Sequence, residues 1–175
     1  MLLIPSALAI FADDAFRIDY HIPLVGAPLH ETTFFQQPFA ESKASLIFTL
    51  SERGVIAAVN PKDGELVWRQ RRRDTWGQGF LRAGEGQDTI VSGRGQEVAA
   101  WSAADGKLAW SSDFTGEVLD VEILELEDGA TTKGAKDALT LTGGQVQTPT
   151  VSRLNGETGD VKWAFEDTRF EAFPL

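Results

Sequence analysis

Apolar and polar residues alternate with a period of two along this chain, and glycine-bearing turns cut the alternation into short runs. Phe16, Ile18 and Tyr20 alternate with Arg17, Asp19 and His21, the pattern of a half-buried strand. Residues 32–36 and 45–50 read as strands, and Gly54 closes a turn at 51–54. Residues 55–60 and 65–70 form a hairpin over Pro61-Lys62-Asp63-Gly64, where Pro early and Gly late predict a type I turn with a glycine bulge. Four more strands are predicted at 79–82, 88–92, 97–102 and 107–112, with turns at 84–87, 93–95 and 104–106. From Glu117 onward Leu119, Val121 and Ile123 share one face, and the phase slips at Leu124 and Leu126, which predicts a bulge. A polar Gly/Lys-rich stretch at 127–137 reads as a surface loop, followed by strands at 138–142, 146–154 and 160–165. Pro149 cannot donate to a ladder, so the second of these should pair irregularly. Residues 170–175 open another apolar run, and no useful helical period occurs anywhere.

Three of the hairpins share one signature: strand, turn with Gly, strand, Trp. The tryptophans are Trp68, Trp110 and Trp163, and each follows its turn glycine (Gly64, Gly106, Gly159) by four residues. The glycines stand 42 and 53 residues apart, and the longer interval is accommodated by the loop at 127–137. A period near 40–45 residues built from four short strands is that of a β-propeller blade. The sequence therefore predicts an all-β fold, a partial propeller of four-stranded antiparallel blades at about 32–73, 79–114 and 117–167. The strand around Tyr20, which takes the Trp position of the motif, would close a ring from its N-terminal side. About three blades fall short of the usual four to eight, which predicts either a fragment of a longer protein or a truncated product whose exposed sheet edges tend to associate. At a repeated position, an indole is expected to pack on the neighbouring blade near its turn glycine and tie the blades together. Trp101 takes the place of Val59 and Leu154 in the sister hairpins and is read as core.

Composition limits the functional classes. With 42% hydrophobic and 24% charged residues, the 175-residue chain is globular in character. A net charge of −10 argues against nucleic acid as a partner, because phosphate binding needs a basic footprint. There is no cysteine, hence no disulfide, thiolate metal site or cysteine nucleophile. Residues 1–12 are uncharged, mostly apolar and too short to span a bilayer. Ala7-Leu8-Ala9 followed by Asp13-Asp14 predicts a secretory signal at 1–9, leaving 10–175 as propeller, although a basic start is missing. A buried N-terminal strand or short helix is the other reading of that run.

Candidate chemistry is sparse. Arg69, Arg71, Arg72 and Arg73 follow the first docking Trp as a basic run, a candidate interface for lipid headgroups or an acidic partner or else a solvated strand end. Trp76 lies outside the repeat frame and is the candidate exposed aromatic at an interface. Asp120, Glu122, Glu125, Glu127 and Asp128 lack the spacing of a Ca²⁺ loop and read as a solvated face. His21 and His30, the two histidines, have no carboxylate partners at metal spacing. No nucleophile elbow, zinc-protease, P-loop or dinucleotide motif is present, so catalytic, cofactor and metal residues are all expected to be none.

The pattern Ala58-x-Asn60-x-x-x-Gly64-x-x-x-Trp68 resembles the tryptophan-docking motif of quinoprotein-type propellers. Within that group, Phe16-Arg17-Ile18-Asp19-Tyr20, Val25-Gly26 and the stretch 55–69 resemble the N-terminal lumenal region of the subunit 1 family of the endoplasmic reticulum (ER) membrane protein complex, in a fungal-like form. The resemblance is most specific from Phe16 to Arg69. It implies a non-catalytic lumenal scaffold within an assembly that inserts and folds multi-pass and tail-anchored membrane proteins. Its partners would be other subunits of the complex and membrane-protein clients. Its membrane anchor would lie near the C-terminus of a longer protein, outside this chain. An alternative is a fragment of a dehydrogenase-like quinoprotein using pyrroloquinoline quinone, whose Ca²⁺ funnel and vicinal disulfide do not suit a chain without cysteine. A bacterial outer-membrane assembly lipoprotein would require a lipidated cysteine.

Overall fold

The computed structural model describes residues 24–36, 45–72, 77–84, 87–124, 136–144 and 147–166. These residues form twelve strands: β1 (Pro28–Gln36), β2 (Leu46–Ser51), β3 (Val55–Val59), β4 (Leu66–Arg71), β5 (Gly79–Ala83), β6 (Thr89–Arg94), β7 (Glu97–Ser102), β8 (Leu108–Asp113), β9 (Glu117–Ile123), β10 (Ala138–Gly144), β11 (Gln147–Leu154) and β12 (Val161–Glu166). They build three four-stranded sheets in sequence order, β1–β4, β5–β8 and β9–β12. Every pairing is antiparallel. The fold is a partial β-propeller, and no helix occurs among the described residues. The strand predicted around Tyr20, the signal at 1–9 and the run at 170–175 lie outside the described residues.

Successive sheets stack face to face, with β5 packed on β1 and β2, and β9 packed on β5, β6 and β7. The central strands therefore lose their alternation of exposure. All five residues of β3 are buried, because both faces of its sheet are covered. One core joins Phe48, Leu50, Ile56, Ala58 and Trp68 of the first sheet to Leu81, Ile90, Ala99, Trp101 and Ala103 of the second. A second joins Val91, Val98, Ala100 and Trp110 of the second sheet to Val118, Val121, Ala138 and Leu154 of the third. Each fully buried Leu, Ile or Phe contributes about 1.5–3 kcal/mol relative to leaving it in water. On the opposite face of the first sheet, Val25 covers Val55 and Ala57.

The hairpins carry a register slip that the turn residues alone do not predict. Ala58 pairs with Trp68 but Val59 pairs with Leu66, so Val67 is the extra residue. The slip recurs at Ala109, between the pairs Ala100–Trp110 and Trp101–Leu108, and at Lys162, between Arg153–Trp163 and Leu154–Val161. The bulge is thus not at the turn glycine. Its physical effect is to rephase the strand, so that Leu66 and Trp68 face opposite sides of the sheet although two residues apart. The third sheet carries a further slip, while Leu126, in the slip predicted at Leu124 and Leu126, lies outside the described residues. The observed slip falls between the Asp120 and Val118 pairings, leaving Leu119 exposed while Val118 and Val121 face the core. The β10–β11 ladder is irregular between Thr142 and Gly144, close to Pro149.

Candidate functional site

The repeated hairpin turn is the most constructed local feature. Its glycine adopts φ of 71° at Gly64, 71° at Gly106 and 77° at Gly159, the left-handed region open to a residue without Cβ. The glycine N–H donates back to the carbonyl of Asn60, Ser102 or Asn155, closing each loop. In the first and third turns the Asn side chain accepts a further backbone N–H, Lys62 N–H at 3.0 Å and Glu157 N–H at 2.9 Å. In the second, Asp105 accepts from Lys107 N–H and pairs with its ammonium at 2.7 Å. The side-chain hydrogen bonds from Lys107 and Ser102 hold the Asp105 carboxyl at about 2.

The second and third turns each present one carbonyl and one bare glycine to the sheet before it. The Trp68 indole N–H donates to the Ala103 carbonyl at 2.9 Å, and the Trp110 indole N–H to the Gly156 carbonyl at 2.8 Å. A Cβ on Gly106 would stand 2.5 Å from Cε3 of Trp68, and one on Gly159 would stand 2.6 Å from Cε3 of Trp110. Both rings are therefore seated flush on backbone, and both are buried. Ser112 Oγ adds a bond to the Gly159 carbonyl at 2.6 Å.

Trp163 differs. It is 45% exposed, and Phe165 beside it on the same face is 60% exposed. Its cross-strand partner is Arg153, where Trp68 and Trp110 have Ala58 and Ala100. Arg153 and Lys162 both pair with Asp137, at 2.6 and 2.8 Å, and Asp137 also accepts Gly156 N–H at 3.1 Å. Burial raises the Asp137 carboxyl, but the bonds from Lys162, Gly156 and Arg153 outweigh it and the net shift is downward. Gly64, at the front of the first sheet, is half-buried where Gly106 and Gly159 are buried.

The basic run divides. Arg69 and Arg71 are exposed, and Arg69 donates to the Leu24 carbonyl at 2.8 Å. Arg72 corrects the surface reading of this run, because it is buried between sheets. It pairs with Glu97 at 2.6 Å, donates to Ser92 Oγ at 2.8 Å and lies 5.8 Å from the centroid of the Trp101 ring. Trp101 in turn donates to Ser92 Oγ at 2.9 Å. This inter-sheet link was missed, yet a signal for it existed: Trp68, Gln70 and Arg72 share strand parity, which sends all three toward the second sheet. Tyr20, Arg73 and Trp76 lie outside the described residues. Among the described residues no three His, Asp or Glu side chains gather as a metal site, and no helix is long and apolar enough to cross a membrane.

Solved structures with this architecture include BamB from Moraxella catarrhalis, with a TM-score of 0.50 at 15% identity, covering 81% of this chain and 38% of that one. The quinohemoprotein alcohol dehydrogenase from Comamonas testosteroni aligns with a TM-score of 0.54 at 14% identity, covering 80% of this chain and 22% of that one. At such identities the likeness concerns the fold alone. In sequence, the chain is 30% identical over 131 residues to the ER membrane protein complex subunit 1 of Gallus gallus, covering 73% of this chain. It spans 13% of that relative's length. The family model of the EMC1 N-terminal beta-propeller domain matches residues 9–173, and the chain belongs to that family of ER membrane protein complex subunits.

Proposed function

We propose that this chain is part of a non-catalytic scaffold on the lumenal side of the ER membrane, which supports insertion and folding of multi-pass and tail-anchored membrane proteins. The observation that carries this reading is the family match over residues 9–173, joined to the stapled sheets that fill the matched region. A stack of sheets tied by indoles on glycine turns offers broad, rigid faces, the physical requirement of a scaffold. Trp68, Trp110 and Trp163, with Gly64, Gly106 and Gly159, act in this reading as blade-docking elements, and Tyr20 plays the indole's part ahead of the first blade. Residues 1–9 serve as the secretory signal, and membrane attachment comes from an anchor elsewhere in the longer protein. Arg69, Arg71, Arg73 and Trp76 remain candidates for contact with other subunits.

Affinity purification of the tagged full-length protein from detergent-solubilised membranes tests the proposal. Co-recovery of integral ER membrane subunits in stable proportion is expected. Recovery of soluble cytosolic proteins alone would reject it.

A further inference from the structure

At the outer seam between the first and second sheets, Arg72, Glu97, Trp101, Leu108, Ser111 and Asp113 line a cavity of about 230 Å³. Its charges do not balance. Glu97 and Asp113 are direct cross-strand partners on β7 and β8, so two carboxylates stand side by side. Arg72 is the one cation among them, and it is already committed to Glu97, to Ser92 and to the face of Trp101. The Asp113 carboxylate makes no hydrogen bond or ion pair among the described residues. Arg72 Nη2 is fully buried and is taken up by Glu97 at 2.6 Å, so Arg72 does not reach out to Asp113.

One groove thus holds an acceptor, the Asp113 carboxylate, without a donor. Its remaining wall is Leu108, 52% exposed, and the ring of Trp101. β8 is the last strand of its sheet, so its outer backbone edge is unpaired within that sheet.

We propose that this seam binds an arginine side chain carried by an extended segment of a partner polypeptide. The guanidinium pairs with Asp113, where its planar fork matches a carboxylate. The aliphatic stem lies on Leu108 and Trp101. The partner's backbone runs along the free edge of β8, the geometry of strand addition. The overall charge of −10 favours the approach of such a basic segment. The proposal is independent of the scaffold reading, since it concerns the chemistry of one seam.

The test uses the 175-residue chain and two capped probes, Nα-acetyl-arginine methylamide and its norleucine counterpart, followed at the indole N–H signal of Trp101. A saturable shift with the arginine probe is expected, with none from norleucine. Asp113→Asn should weaken binding about tenfold, the loss of one charge-assisted contact. Asp113 is exposed on an outermost strand, so the variant should fold, which circular dichroism confirms separately. Equal response to both probes, no saturable response, or an unchanged affinity in folded Asp113→Asn would overturn the proposal.

Discussion

Trp110 rests on Gly159 so closely that a methyl group at Gly159 would sit 2.6 Å from the indole Cε3 atom. The same residue holds a φ of 77°. Gly159→Ala therefore meets two penalties together, a left-handed backbone and a clash with a buried ring. The expected loss is about 2–4 kcal/mol, combining backbone strain with overpacking. Gly106→Ala should behave alike, since its Cβ would meet Trp68 at 2.5 Å. Urea unfolding of each variant is the measurement, and an unchanged midpoint would show that the ring does not rest on the glycine.

The three tryptophans should not be equivalent on truncation. Trp68→Ala and Trp110→Ala remove buried rings together with their bonds to Ala103 and Gly156, a loss of about 3–5 kcal/mol each. Trp163→Ala removes a ring that is 45% exposed and should cost less than about 1 kcal/mol in this chain. Equal losses at all three positions would contradict the difference in their surroundings.

Arg72 and Glu97 form an unequal pair, with side chains 4% and 22% exposed. Glu97→Ala strands a buried guanidinium and should cost about 2–4 kcal/mol, whereas Arg72→Met leaves a carboxylate that water can still reach and should cost less. Thermal melts of both variants decide the order, and the reverse order would mean that the bond to Ser92 dominates.

Acid should reach the third sheet through Asp137. Its carboxyl is held below the ordinary 3.8, because bonds from Lys162, Gly156 and Arg153 outweigh the opposing effect of burial. The stabilisation is fully present above the unfolded-state value and is lost as pH falls through the lower folded-state value. Asp137→Asn should be less stable than the parent at neutral pH, with the gap closing below about pH 3.8. A gap that stays constant through that range would exclude ionic stabilisation at this carboxylate.

Lumenal placement has a covalent readout. Glu157→Thr completes a glycosylation acceptor at half-buried Asn155, next to the exposed residues 157 and 158, and Gly129→Asn completes another with Thr131. Expressed in cells within the full-length protein, at least one variant should gain mass that an endoglycosidase removes. Two unmodified variants would place this region outside the lumen.

Much of the architecture is legible in the sequence. The step of four residues from glycine to tryptophan, repeated at Trp68, Trp110 and Trp163, marks the hairpins and their order. Register was less legible. Whether the extra residue is Gly64 or Val67 depends on how one strand twists against its partner, which composition does not encode. Arg72 was misread for a related reason: it sits in a run of arginines, but strand parity separates it from Arg71 and turns it toward Ser92 and Trp101. The groove beside Asp113 was hidden in the sequence, since Arg72 reaches Glu97 only once two sheets are stacked.

The slip at Val67, Ala109 and Lys162 makes chain length, rather than residue type, the thing that orients each indole. Deleting one residue between glycine and tryptophan would preserve the whole hydrophobic alphabet of the hairpin and still swing the ring to the wrong side. That short interval works as a ruler and tolerates no change of length, while the added length of the third repeat falls between β9 and β10, away from any indole.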